Sequence, residues 1–168
     1  FLYKDNNFDL AGFSVGIIEH DVYPKKINEG DLIFGIRSNG VHSNGYTLIH
    51  KILENNEYDL NELIKPTKIY IDDINYLKQK YNDSIKGFSH ITGGGLIDNI
   101  PRILNKGYNI DIHCKWDIPD VFKWIYNNSD MSEKDMLNTY NCGIGMVLIF
   151  DKDIDKKILL DDNLIEIG

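Results

Sequence analysis

A chain of 168 residues, 42% of them apolar, is long enough for one domain with a sizeable core and leaves little room for a second. Its formal net charge of -8 excludes the clustered Lys and Arg surface that grips nucleic acid or anionic lipid, so any phosphate must be held locally by backbone amides and a few side chains. Cys114 and Cys142, far apart in sequence, suggest neither a disulfide framework nor a paired metal site, and no apolar run approaches the roughly 18–20 residues that cross a bilayer.

In chain order, residues 10–18 are glycine-containing and β-prone, with Phe13, Val15 and Ile17 on one face, and read as a strand. Residues 31–37 read as a second, buried strand. The polar stretch Ser38 to Gly45 cannot continue it, and an amphipathic helix follows over 46–53. Pro66-Thr67 marks another helix start, with Ile69, Ile74 and Leu77 along one face as far as Lys80. A short strand over 85–91, the loop Thr92-Gly93-Gly94-Gly95 and the helical spacing of Leu96, Ile97, Ile100, Ile103 and Leu104 repeat the order of strand, loop and helix. Residues 108–113 alternate as a strand. Helices follow over 119–126 and 132–140, the latter opened by a Ser132–Asp135 pair with the spacing of a capping box. Residues 142–150 form an apolar strand and 153–160 a short helix, after which Leu164, Ile165 and Ile167 begin a further strand. The expected fold is a single α/β domain of the α+β type, with a mixed sheet flanked by helices.

Two loops carry the chemistry. A helix N-terminus presents unpaired N–H groups and a partial positive charge, so a glycine-rich loop feeding a helix can wrap amides around an anion. Three successive glycines, each costing roughly 0.5–1 kcal/mol relative to Ala where no special geometry is needed, indicate such a need. The same composition also makes a tight turn with no ligand, and no Gly-Lys-Ser or Gly-Lys-Thr follows, which rules out a P-loop. The first loop gathers Ser38, Asn39, His42, Ser43 and Asn44 between Gly40 and Gly45. Each unit brings one imidazole, His42 or His90, to a helix mouth, where it can donate to a phosphate, polarise an oxygen or move a proton.

Taken together, Ser38-Asn39-Gly40-Val41-His42-Ser43-Asn44-Gly45-Tyr46, His90-Ile91-Thr92-Gly93-Gly94-Gly95 with Asn99-Ile100-Pro101-Arg102, and Tyr140-Asn141-Cys142-Gly143-Ile144-Gly145-Met146 resemble the signature set of aminoimidazole ribonucleotide synthetase, the phosphoribosylformylglycinamidine cyclo-ligase of purine biosynthesis. The resemblance runs from Asp9-Leu10-Ala11-Gly12-Phe13 through Pro66-Thr67-Lys68-Ile69-Tyr70 to about Phe150. Asn39 and Val41 depart from the first motif where latitude is expected.

The resemblance implies that residues 1–168 are the C-terminal, substrate- and phosphate-binding domain of that enzyme. On this expectation the chain is a fragment cut at both ends, lacking the N-terminal domain that holds most of the ATP and Mg2+ and builds much of the homodimer, and is inactive alone. It further implies an ATP-dependent ligase of the cytoplasm that closes formylglycinamidine ribonucleotide to aminoimidazole ribonucleotide. Carried over residue by residue, His42 and His90 are expected catalytic groups, and Ser43, Asn44, Gly45, Thr92, Gly93, Gly94, Gly95 and Asn141 are expected to line the substrate and phosphate cleft, with no metal ligand. Two alternatives stand beside this reading. One is another member of the same ATP-using superfamily, of the formylglycinamidine ribonucleotide synthetase, thiamine phosphate kinase or selenophosphate synthetase type. The other is a non-catalytic phosphate-binding module.

Other tempting residues have plainer readings. His20, His50 and His113 offer no ligand spacing, and Asp72-Asp73 and Asp161-Asp162 read as solvated faces. Trp116 and Trp124 read as core or interface, and Cys142 as a buried inert thiol.

Overall fold

The computed structural model describes residues 11–18 and 23–168. Within them run β1 (Leu32–Arg37), α1 (Tyr46–Leu53), α2 (Leu60–Leu63), α3 (Ile71–Tyr81), β2 (Ile85–His90), α4 (Gly95–Asn99), a 3-10 turn (Ile100–Ile103), α5 (Asp120–Asn127), α6 (Glu133–Thr139), β3 (Ile144–Phe150), α7 (Lys156–Asp161) and β4 (Ile165–Glu166). The sequence Ile-Gly-Met-Val-Leu-Ile-Phe of β3 has no polar position, which suits a strand covered on both faces. It is buried throughout and sits inside the sheet, whose order is β2-β3-β1-β4.

The expected α/β domain forms, but every strand pair is antiparallel, so the sheet is not mixed. Its two faces separate the side chains of successive residues. Phe34, Ile36, Met146, Leu148 and Phe150 meet Tyr70, Leu77 and Tyr81 of the α3 region and Leu159 of α7 on one side. Ile33 and Val147 meet Leu96, Ile100 and Trp116 on the other. A further core joins Ile49 and Ile52 of α1, Leu63 of α2, Phe122 and Ile125 of α5, Met136 of α6 and Tyr140.

Two irregularities re-aim side chains. Ile36 pairs with Met146 and Arg37 with Ile144, which leaves Gly145 as the additional residue of a bulge in β3. Ile85 pairs with Phe150 and Gly87 with Ile149, which leaves Lys86 as the additional residue in β2. The bulged Lys86 is buried, and its ammonium lies 2.7 Å from carboxylate oxygens of both Asp31 and Asp151.

Several sequence expectations need correction. Residues 11–18 are not a strand: they carry no regular structure, and Phe13 is 93% exposed. An alternating pattern forms a strand only beside a hydrogen-bonded neighbour, and the sheet is completed by other segments. Leu10 and His20 lie outside the described residues. Helix α3 starts at Ile71 rather than at Pro66, because the Pro66 carbonyl accepts from Asn39 and the Lys68 amide turns toward His42. Residues 108–113 join no ladder, with His113 N–H donating to the Ile167 carbonyl at 2.7 Å, while Ile110 and Ile112 still pack inward. Asp162 is no solvated carboxylate: its side chain is only 10% exposed and accepts from Lys80, Tyr81 and Tyr76. Among the described residues no helix is long and apolar enough to cross a membrane.

Candidate active site

The first loop leaves β1 and is held from beneath by one amide. Asn141, 4% exposed, accepts from Ser38 Oγ at 2.8 Å and from Gly143 N–H at 2.9 Å. It donates through Nδ2 to the carbonyls of Gly40 and Val41 at 3.0 and 3.3 Å. Both amide atoms are saturated within the chain, so Asn141, expected to line the cleft, acts here as the scaffold of the loop. Gly45, at φ 77, caps α1 in the left-handed region. A side chain there would strike the ring of buried Tyr140, whose hydroxyl donates to the Gly45 carbonyl at 3.0 Å.

The second loop has its own clamp. Asn99, 3% exposed, donates to the carbonyls of Thr92, Gly93 and Gly95 at 3.3, 3.3 and 2.7 Å and accepts from Thr92 Oγ1 at 3.2 Å. Gly95 is at φ 57, and a Cβ there would collide with the Leu137 carbonyl and stand 2.9 Å from the Tyr140 carbonyl oxygen. Glycine is therefore required for close approach to the backbone at the end of α6 as well as for its dihedral.

Tyr140 thus touches both loops, through its ring at Gly45 and its carbonyl at Gly95. The loops also meet directly: a Cβ on Gly93 would lie 3.4 Å from Asn44 Oδ1. Ser43 and Gly93 are exposed, and Asn44, Thr92 and Gly94 are half-buried.

The two imidazoles converge on one ring. Tyr70 lies with its centroid 6.3 Å from that of His42 and 5.8 Å from that of His90, edge-on to both. Its hydroxyl donates to the Arg37 carbonyl at 3.3 Å, and Lys68 Nζ stands 5.1 Å over the same ring. Burial, with the Asp73 carboxylate adding to it, raises the Tyr70 phenol above its ordinary range, so it stays neutral. Gly145 makes the approach of Tyr70 and His42 possible, because a Cβ in the bulge would fall 2.8 Å from His42 Cε1 and 2.8 Å from Tyr70 Cζ.

His42 is 4% exposed and holds φ 63, a dihedral that few side chains adopt. Burial lowers its pKa below the ordinary imidazole value, and the nearby His90 lowers it further. His90 is exposed, at the end of β2. The pair therefore combines a sheltered neutral imidazole with a solvent-facing one. Arg37 and Lys68 line a groove of about 540 Å³ together with Asp73 and Asp162, and Lys68 is paired with Asp73 at 3.1 Å.

The expected residues thus gather in one neighbourhood. Sequence reasoning missed Tyr70 between the histidines, Asn99 beneath the second loop and the steric part of Gly145. All three lie in the stretches that carry the resemblance, and none had been assigned a role. Among the described residues no group of three or more His, Cys, Asp or Glu side chains sits where it could hold a metal ion. The thiol of Cys142 is pushed up to about 12 by burial, then by Cys114, in keeping with the inert reading.

Comparison with known proteins places residues 28–159 in the family described as AIR synthase related protein, C-terminal domain. The phosphoribosylformylglycinamidine cyclo-ligase of Thermoanaerobacter pseudethanolicus is 44% identical over 173 residues, covering 93% of this chain and 51% of the relative. That of Clostridium perfringens is 43% identical over 168 residues, covering 94% and 50%. The trifunctional purine biosynthetic protein adenosine-3 of Gallus gallus is 37% identical over 177 residues, covering 95% of this chain and 17% of that protein. The chain spans about half the length of the cyclo-ligases it matches.

Proposed function

The chain belongs to the family of AIR synthase related proteins, as their C-terminal domain, and from that premise we propose that it is the C-terminal half of an ATP-dependent ligase that closes formylglycinamidine ribonucleotide to aminoimidazole ribonucleotide. The observation that carries the proposal is the convergence of His42 and His90 on Tyr70, beside two glycine loops that meet at Asn44 and Gly93.

In this reaction an amide oxygen becomes a leaving group by phosphorylation from ATP, and a nitrogen of the same molecule then attacks the activated carbon. Holding the flexible substrate folded is much of the catalytic task, because orientation turns a rare encounter into a poised one. Loops pinned by Asn141 and Asn99 suit that need. Ser43, Asn44, Gly45, Thr92, Gly93, Gly94 and Gly95 are assigned to the ribonucleotide and its phosphate, through backbone amides and short polar side chains. His42 and His90 are assigned to proton handling at the reacting end.

Among the described residues no three His, Cys, Asp or Glu side chains are grouped for a metal ion, and no step is routed through one. On this reading Mg2+ and ATP are held mainly by an N-terminal domain, and the complete enzyme is a cytoplasmic homodimer. The test is a chimera in which this chain replaces the matching half of the Clostridium perfringens cyclo-ligase. Formation of ADP and of a diazotisable aminoimidazole product is expected, with strong loss on His42→Ala or His90→Ala. A folded chimera that hydrolyses ATP but closes no ring would refute the assignment.

A further inference from the structure

We propose that Asn39 is a positioning residue that fixes the tautomer of His42, keeping the ring proton on Nε2 and leaving Nδ1 as a bare lone pair. This deepens the functional reading above by assigning the direction in which His42 can exchange hydrogen bonds, although the tautomer itself does not depend on that reading.

The argument begins with the Asn39 amide, whose orientation is set from outside. Its Nδ2 donates to the Pro66 carbonyl at 2.9 Å, which turns Oδ1 toward His42 Nε2, also at 2.9 Å. An amide oxygen only accepts, so the ring nitrogen facing it must carry hydrogen. A competing contact exists. The Lys68 amide approaches the same Nε2 at 3.5 Å and would need it bare. One nitrogen of a neutral ring cannot serve both, and the shorter contact, from an amide already locked by Pro66, prevails over one at the limit of hydrogen-bond length.

With Nε2 protonated, a neutral ring must leave Nδ1 unprotonated. Nδ1 is buried, and no donor among the described residues reaches it. A buried acceptor without a partner is unfavourable, and here it persists on a residue whose backbone already sits in the left-handed region. The chain tolerates both penalties at one position, a pattern concentrated at functional sites. The burial that lowers the pKa of His42 keeps the ring in the neutral form to which this tautomer applies.

The consequence is a division of roles. In neutral His42 the buried Nδ1 can only accept a hydrogen bond and cannot donate to a phosphate oxygen. Donation to an anionic oxygen falls to exposed His90, whose ring nitrogens make no hydrogen bond to the described residues.

Side-chain 15N NMR of the labelled chain at neutral to mildly alkaline pH tests this without substrate or turnover. The expected spectrum shows His42 with hydrogen on Nε2 and a bare Nδ1. Asn39→Ala is expected to abolish the preference, giving a tautomer mixture or hydrogen on Nδ1. Asn39→Asp, which loses the donor to Pro66 but whose oxygens can only accept from Nε2, is expected to preserve it. His90 signals should stay unchanged in both variants, whereas a merely structural role would make the two substitutions alike. Hydrogen on Nδ1 of His42 in the unsubstituted chain overturns the proposal, even if Asn39→Ala fails to fold. An unchanged tautomer in a folded Asn39→Ala chain overturns it equally, and a chimera that closes no ring leaves it standing.

Discussion

Gly145→Ala isolates the contact on which the arrangement of Tyr70 and His42 depends. The added methyl meets Tyr70 Cζ and His42 Cε1, both 2.8 Å away, and comes closer still to the Tyr70 hydroxyl. Neither ring is free to yield. Tyr70 is packed against Leu77 and Met146 and hydrogen-bonded to the Arg37 carbonyl, while His42 is hemmed in at Asn39. Overpacking of this kind costs about 1–3 kcal/mol, which in a chain of this size lowers the melting temperature by roughly 2–12 °C. Because the nearest obstacle is the phenolic oxygen, Tyr70→Phe should relieve part of the strain. Alone, that substitution forfeits one long hydrogen bond, worth about 0.5–1.5 kcal/mol. The double variant is expected to be more stable than the sum of the single effects by at least about 0.5 kcal/mol. Urea unfolding of the four proteins closes the cycle. Strict additivity, or a Gly145→Ala chain as stable as the original, would show that the bulge does not seat the tyrosine.

The other predictions concern charge, capping and thiols. Burial acts to raise the Asp162 carboxyl, but the bonds from Lys80 and Tyr81 outweigh it and hold the group below the usual carboxylate range. Its contribution is present above the unfolded value and lost as pH falls through the depressed one, so Asp162→Asn should flatten the acid limb of a stability-against-pH curve. His42 behaves in the same sense at higher pH. Its folded pKa lies below the unfolded 6.5, so the unfolded chain takes up the proton first and stability falls as pH drops below about 6.5. Urea midpoints at pH 7.5 and 5.5 should show this loss, and His42→Asn, which tolerates the left-handed dihedral, should diminish it. Ser132→Ala removes the hydroxyl that accepts from the Asp135 amide, leaving the backbone half of the capping box on α6, and is expected to cost about 0.5–2 kcal/mol in the same assay. Cys142 is buried and Cys114 exposed, so a disulfide-exchange reagent should label one thiol in the native chain and two in denaturant; rapid labelling of both would contradict the packing around Met136 and Trp116.

Much of the fold was legible because local pattern and tertiary packing agree. Helix α1 occupies the range its periodicity indicates, and the Ser132–Asp135 box forms as its spacing requires. The apolar run after Cys142 is an inner strand. The failures share a physical cause, in that the deciding partner is remote in sequence. Residues 66–70 have the composition of a helix start, yet Asn39 and His42 hold them in another conformation. Residues 108–113 have strand alternation, yet only His113 finds a ladder-like bond, to Ile167. Helix α2 is four residues long, too short to display a period. The two histidines are expected at one site from their motifs, but the ring between them was unreadable for the same reason, since Tyr70 reaches both only because β3 carries a bulge at Gly145.

The buried polar groups give an independent route to the same neighbourhood. Lys86 is matched by Asp31 and Asp151, and the side-chain amides of Asn99 and Asn141 are used in full on the two loops. Among the described residues two buried side-chain polar atoms remain without a partner, Ser129 Oγ and His42 Nδ1. A hydroxyl can rotate its hydrogen, and Ser129 lies just beyond the end of α5. An imidazole held by Asn39 on one edge and packed against Tyr70 has no such freedom, so its bare nitrogen is a standing penalty of the folded chain. Penalties of that kind call for a specific reason, such as strain, a catalytic role or an ordered water or ion. The same conclusion therefore follows from hydrogen-bond accounting, which uses neither the glycine motifs nor any relative, and it falls on one of the two histidines that the motifs had singled out.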